Sequence, residues 1–157
     1  MSKEQTILFA DILDLPAMTI ATAGKDAIPH AATVYFVADS SLNFYFLSAK
    51  HSQHIQDLID NPNAAVTIFP IVSKWQEIRG LQMLGDVQEV TRGIKQAKEW
   101  AIFAIKFPDI RGLDIEVLRN QLYVFKPTWI RLIDNRDGFG SKREWSLETL
   151  KDLIKHV

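Results

Sequence analysis

The stretch "AMTIATAGKDAIPHAATVYFVADSSLNFYFLSA" constrains the fold more than any other part of the chain. It holds three short runs rich in Thr, Val, Ile, Tyr and Phe, residue types that suit a pleated, half-buried surface. Gly24-Lys25-Asp26 and Asp39-Ser40-Ser41 separate the runs, and both triplets carry turn chemistry. Strands joined by such short connections run antiparallel, because a parallel connection needs a crossover of a dozen or more residues. The spacing predicts a meander over about 17–23, 28–38 and 42–47.

Helical periods flank this core pattern. Leu8, Ile12 and Leu15 recur at helical spacing after a capping Ser2, and Pro16 ends the run, which predicts a helix over about 3–14. "HSQHIQDLIDNP" places Ile55, Leu58 and Ile59 on one helical face, closed by Asn61-Pro62. "NAAVTIF" returns to strand character. "QEIRGLQMLGDVQEV" is a longer strand in which Gly80 and Gly85 mark bends or close backbone approach. Thr91 caps a helix whose stripe is Ile94, Ala97, Ala101, Ala104 and Ile105, ending before Pro108. "QLYVFKPTWIRLID" is the last strand, and Pro127 within it marks an edge or a bulge. "NRDGFGSKREW" is a polar loop, and "SLETLKDLIKHV" is a capped C-terminal helix. Hairpin-linked strands dominate and crossover units do not repeat. The expected class is therefore mainly β with peripheral helices (α+β), an antiparallel barrel in a single domain over residues 1–157.

Composition narrows the function. Lys plus Arg number 18 and Asp plus Glu 19, so no broad basic field is available for nucleic acid. The chain has no cysteine, which excludes disulfides, thiolate nucleophiles and thiolate metal sites. No apolar run approaches a membrane span, and the N-terminus has acids within its apolar pattern. A cytoplasmic protein is expected. There is no G-x-S-x-G elbow, P-loop or G-x-G-x-x-G after a strand. If the chain is an enzyme, a cofactor carries its reaction.

Three stretches hold candidate chemistry. In "LSAKHSQHIQDL", His51 and His54 share a helical face, but a metal needs a third ligand, and only His30, His156 and scattered carboxylates remain. No metal site is expected. An ordinary solvated, capped first turn is one alternative. An anion site is the other, because a helix start presents unpaired N–H groups and a partial positive charge. Ser48, Ser52, Lys50 and His54 add hydroxyls and basic groups to it. In "PHAATVYF", the small Ala31, Ala32 and Thr33 would let a flat ligand lie against the strand, or would simply pack in a tight barrel. In "DGFGSKREW", Trp145 could cover a ring and Lys142 or Arg143 could meet an anion, or the segment is a surface loop.

The segments "IPHAATVYFVADSSLNFYFLSAKHSQHIQDLIDNPNAAVTI", "IRGLQMLGDVQEV" and "YVFKPTWIRLIDNRDGFGSKREW" together resemble the pyridoxamine-phosphate-oxidase-like FMN-binding split barrels. The G-F-G-x-K ending with a nearby Trp is similar to a small bacterial subfamily. The resemblance implies a six-stranded antiparallel split barrel forming a homodimer, with flavin in clefts between the subunits. It implies an FMN phosphate near the helix start, by Leu47, Ser48, Lys50, Ser52 and His54, and a ring resting near Ala31, Ala32 and Thr33. Gln82 and Trp145 are further cofactor candidates. His54 stands where such proteins usually carry Lys or Arg, which makes it a pH-dependent phosphate partner. Lys50 is a possible compensating charge. Such barrels also bind deazaflavin or haem, and for haem His30, His51 and His54 are the candidate axial ligands. The substrate residues of true pyridoxamine-phosphate oxidases are not evident, so vitamin B6 is not the expected substrate. The function implied is an FMN-dependent oxidoreductase acting on a small molecule, or else a non-enzymatic flavin or haem binder or sensor.

Overall fold

The computed structural model describes residues 3–91, 94–108 and 120–154. Helix α1 (Lys3–Leu13) leads into the meander β1 (Ala17–Ala23), β2 (Pro29–Ala38) and β3 (Phe44–Ser48). Helix α2 (Gln53–Asp60) precedes β4 (Asn63–Ile68) and β5 (Arg79–Glu89). Helix α3 (Ile94–Lys106), β6 (Gln121–Asp134), β7 (Lys142–Trp145) and α4 (Leu147–Ile154) complete the order.

The strands pair in the order β3-β2-β1-β4-β5-β6-β7, every pair antiparallel, and β3 also pairs with β6. That last pairing closes a six-stranded barrel and leaves β7 as an extra strand. The long β6 serves two neighbours in turn. Its first part, Gln121–Phe125, pairs with β3, and its second part, Ile130–Ile133, pairs with β7. Between them the register with β5 shifts, Leu84 facing Trp129 and Gly85 facing Pro127. Thr128 is thus the extra residue of a bulge, and the missing amide of Pro127 falls where the ladder is already broken. A Cβ on Gly85 would run into the Lys126 carbonyl, so the bulge depends on glycine there.

Alternation along the strands sends Ile20, Phe36, Phe44, Phe46, Leu81 and Phe125 inward, each fully buried. Leu8, Phe9 and Ile12 of α1, Ile55 and Leu58 of α2 and Leu150 of α4 join this core. A second, smaller core forms outside the barrel, where Phe103 of α3 packs with Val37, Tyr45, Leu122 and Val124. Lys106, at the end of α3, donates to the carbonyls of Leu13 and Leu15 (2.8 Å each) and lies 4.1 Å from the Phe36 ring centre. A cation over these carbonyls suits the negative end of α1. Burial lowers the Lys106 pKa to about 8, against the pull of Asp14.

Three expectations are corrected. Ile59 is 71% exposed, and the inward face of α2 is completed by Asp57 instead. In α3, Ile105 is 77% exposed and Ala101 is also exposed, while Phe103 is the buried anchor. The segment read as one polar loop ends in a strand, because residues 142–145 pair with the free second half of β6. The Ser2 cap, the junction of Thr91 with α3, the side chains of Ile94 and Ala97, and His156 lie outside the described residues.

Replacing Gly85 with alanine is expected to cost ~1–3 kcal/mol, the usual penalty for forcing atoms into a filled site. Urea unfolding of the variant should show a lower midpoint with an unchanged slope. A midpoint equal to wild type would mean that the bulge relaxes freely around a side chain.

Candidate functional site

Strand β3 ends at Ser48, an inward residue only 7% exposed. A tight turn follows, closed by the Ser52 amide on the Ala49 carbonyl (3.1 Å), and it delivers the chain into α2. Ser52 occupies the cap position with extended backbone, but its hydroxyl does not accept from the helix. It donates to the Ala49 carbonyl instead (2.8 Å). The Ser48 hydroxyl lies 3.0 Å from the Ser52 hydroxyl and 2.9 Å from His54 Nε2. The first helical bonds run from the Ile55 and Gln56 amides to the Ser52 carbonyl. The Gln53 and His54 amides therefore have no acceptor among the described residues, and they stand at the positive end of α2.

The cluster is electrically milder than its sequence suggests. Burial lowers the His54 pKa below the ordinary histidine value, and the Asp57 charge offsets only part of this. At neutral pH the imidazole is uncharged, so no imidazolium supports an anion here. Lys50 is turned to Glu89, with Nζ 3.4 Å from Oε1. His51 is exposed. Among the described residues, no group of three or more His, Cys, Asp or Glu could hold a metal ion.

Asp57, which motif reasoning passed over, is the best-connected side chain of the region. It is 3% exposed. Its Oδ2 accepts from Thr22 Oγ1 and from His30 Nδ1, both at 2.8 Å, and its Oδ1 accepts from Gln53 Nε2 at 2.9 Å. The Gln53 bond is the largest cause of its lowered pKa, and the Thr22 and His30 bonds add to it against burial. The carboxylate is ionised and can only accept, so His30 Nδ1 carries a proton and donates it. One available signal was its place between Ile55 and Leu58, on the inward face and four residues after Gln53.

The remaining candidates scatter over both faces of the sheet. Ala31 and Thr33 point outward with their partners on β1. Two rows run from them across the strands. One is Ala31, Ala21, Ala65, Leu84 and Trp129. The other is Thr33, Thr19, Thr67, Gln82 and Arg131. Their members on β1, β4 and β5, with Trp129, line a shallow cavity of about 400 Å³, and Ala31, Thr33 and Arg131 lie outside it. Arg131 lies 4.6 Å from the centre of the Trp129 ring system and is held by Glu144 at 2.7 Å. Ala32 falls on the inward side and packs against the core. Trp145, opposite the buried Ile130, also packs inward against the core. Leu47 faces α3 in the second core. The structure thus brings Ser48, Ser52 and His54 together, sets Ala31, Thr33 and Gln82 on the outer face, and turns Ala32, Leu47 and Trp145 elsewhere.

The chain matches the family model for pyridoxamine 5'-phosphate oxidase over residues 8–133. It belongs to that family. Among relatives, a UPF0306 protein of Klebsiella pneumoniae (strain 342) is 29% identical over 115 residues, 73% of this chain and 74% of that one. A UPF0306 protein of Photorhabdus laumondii is 27% identical over 128 residues, 82% and 85% of the two chains. Among solved structures, ChuZ of Campylobacter jejuni superposes with a TM-score of 0.78 at 16% identity, over 93% of this chain and 60% of that one. A heme binding protein of Mycobacterium smegmatis gives 0.75 at 14% identity, over 97% and 62%. HutZ, the heme storage protein of Vibrio cholerae, gives 0.67 at 14% identity, over 80% and 89%. These likenesses establish the split-barrel fold that the family shares. Among the described residues, no helix is long and apolar enough to cross a membrane.

Asp57 gives the fold of this family member an acid-sensitive joint. Its folded pKa is depressed, so its stabilisation is present above the ordinary carboxylate range, near ~4. It is lost as pH falls through the lower folded value. Asp57→Asn should melt below wild type at neutral pH, and its melting temperature should fall less steeply on acidification. Parallel melting curves for the two proteins across that range would show that Asp57 is not an ionised joint.

Proposed function

We propose that the chain is an FMN-binding, oxidoreductase-like protein that holds the flavin phosphate at the start of α2 and acts on a small molecule. The observation that carries this reading is the convergence of the Ser48 and Ser52 hydroxyls with the acceptor-free Gln53 and His54 amides at one helix start. That set suits a phosphate: the two amides are free to donate, the helix end favours negative charge, and the Ser52 hydroxyl joins by turning its proton from the Ala49 carbonyl. His54 enters as a neutral hydrogen-bonding ring, and Lys50 can join only by leaving Glu89, an exposed pair that holds it weakly. When bound, FMN supplies the hydride or electron transfer. The protein's part is to bind and orient it.

The flat outer rows support a homodimer with the cofactor at the subunit interface. Small side chains allow close approach of another surface. Leu84, 51% exposed, and Tyr35, 64% exposed, offer apolar area to it.

One observation favours a second reading, haem binding. His30 is oriented through Nδ1 by a buried carboxylate and keeps Nε2 open, the arrangement typical of a metal-ligating imidazole. Two solved structures similar in fold are heme proteins by name.

The absorbance spectrum of protein purified without added cofactor separates the readings. Flavin bands support the first. A Soret band that His30→Ala removes supports the second. The cradle itself is tested by the double variant Ser52→Ala with His54→Ala. Losing ~1–3 kcal/mol of hydrogen bonding should weaken FMN roughly 5- to 150-fold, and riboflavin by less than about twofold. Equal losses for both ligands, measured by calorimetry, would place the phosphate elsewhere.

A further inference from the structure

A second cavity, of about 420 Å³, opens between α2, β5 and β6. Ile55, Leu58 and Val87 form its apolar wall, each less than a tenth exposed. Lys50 and Glu89, largely exposed and 3.4 Å apart, stand at its rim. Tyr123 lines it as well. This tyrosine is 6% exposed and stacks on Phe46 with ring centres 5.6 Å apart. Its hydroxyl has no hydrogen-bond partner among the described residues.

That unpaired hydroxyl is the informative feature. Buried tyrosine hydroxyls usually find a partner, and this one borders an open volume. Burial first, and the Glu89 charge second, raise the Tyr123 pKa, so the phenol keeps its proton and is a donor looking for an acceptor. A carboxylate is a poor candidate, because it would meet the field of Glu89. A cation would have to displace Lys50. The rim charges already satisfy each other, and the walls are hydrocarbon.

We propose that this cavity binds a small neutral amphiphile, its hydrocarbon body against Ile55, Leu58 and Val87 and a carbonyl or ether oxygen accepting from the Tyr123 hydroxyl. Its apolar wall and Tyr123 lie outside the helix-start cradle, with which it shares Lys50 at the rim.

Cyclohexanone is a suitable probe, titrated into the full-length protein and followed by amide and aromatic NMR. Saturable shifts are expected at the Ile55, Leu58 and Val87 amides and at the Tyr123 Cζ. Tyr123→Phe keeps the ring and removes only the unpaired hydroxyl, so the variant should fold and bind cyclohexanone at least about fivefold more weakly, a loss on the scale of one hydrogen bond. Val87→Phe should fill the cavity and abolish saturation. The proposal is overturned if the wild-type shifts do not saturate, if Tyr123 Cζ does not move, or if Tyr123→Phe binds the ketone as tightly as wild type. The Cζ shift is read on wild type, so the test stands whether or not either variant folds.

Discussion

The bonds to the Asp57 carboxylate set the position of everything that α2 presents. Three elements meet at that one group: Thr22 from β1, His30 from β2 and Gln53 from the first turn of α2 itself. A carboxylate removed from water is tolerable only when its lone pairs are used, and here both oxygens are used. The result is a polar rivet through an otherwise apolar contact. It fixes the rotation of α2 about its axis, since Asp57 must face the sheet. That rotation turns Ile59 to solvent and brings His54 over Ser48. The cradle is therefore a consequence of the rivet, although none of its hydroxyls touches Asp57.

A second constraint comes from β6. One strand cannot both close the barrel on β3 and carry β7 at the same positions, so it does so in succession, and the bulge at Thr128 makes the change of direction. Gly85 and Pro127 meet there because one has no side chain to collide and the other has no amide to lose. The bulge lies beyond the residues that set the face of Gln82, Leu84, Trp129 and Arg131. These keep the alternation that places them outward with the alanine and threonine rows, and Trp145 inward beside Ile130.

Much of the fold was legible because its signals are local. Turn triplets and β-rich runs located β1, β2 and β3 within a residue or two, and Pro127 announced its bulge. The features that escaped are settled by distant partners. Residues 142–145 have little strand character by themselves and become β7 because β6 leaves an edge unfilled. Ile59 and Ile105 fit their helical periods as well as any buried residue, but the tertiary placement of Asp57 and Phe103 decided which stripe turned inward. The helix-start residues Ser48, Ser52 and His54 were legible as a group, since their spacing alone makes them neighbours. The link of Asp57 to Thr22 and His30 spans 35 and 27 residues of sequence, a distance at which no local pattern operates.

The same separation explains the electrostatic character of the cradle. A histidine at a helix start, read locally, looks like a positive charge waiting for a phosphate. In the folded chain it is half-buried, and the cost of burying an imidazolium exceeds what Asp57 returns. The lysine of this segment, Lys50, is engaged by Glu89. An anion held here would be bound by fixed dipoles, two helix amides and two hydroxyls, rather than by ion pairing. Such binding rests on geometry more than on net charge, so it would be less sensitive to salt than a lysine or arginine cradle. It would also lean more heavily on the exact placement of α2, which returns the burden to Asp57.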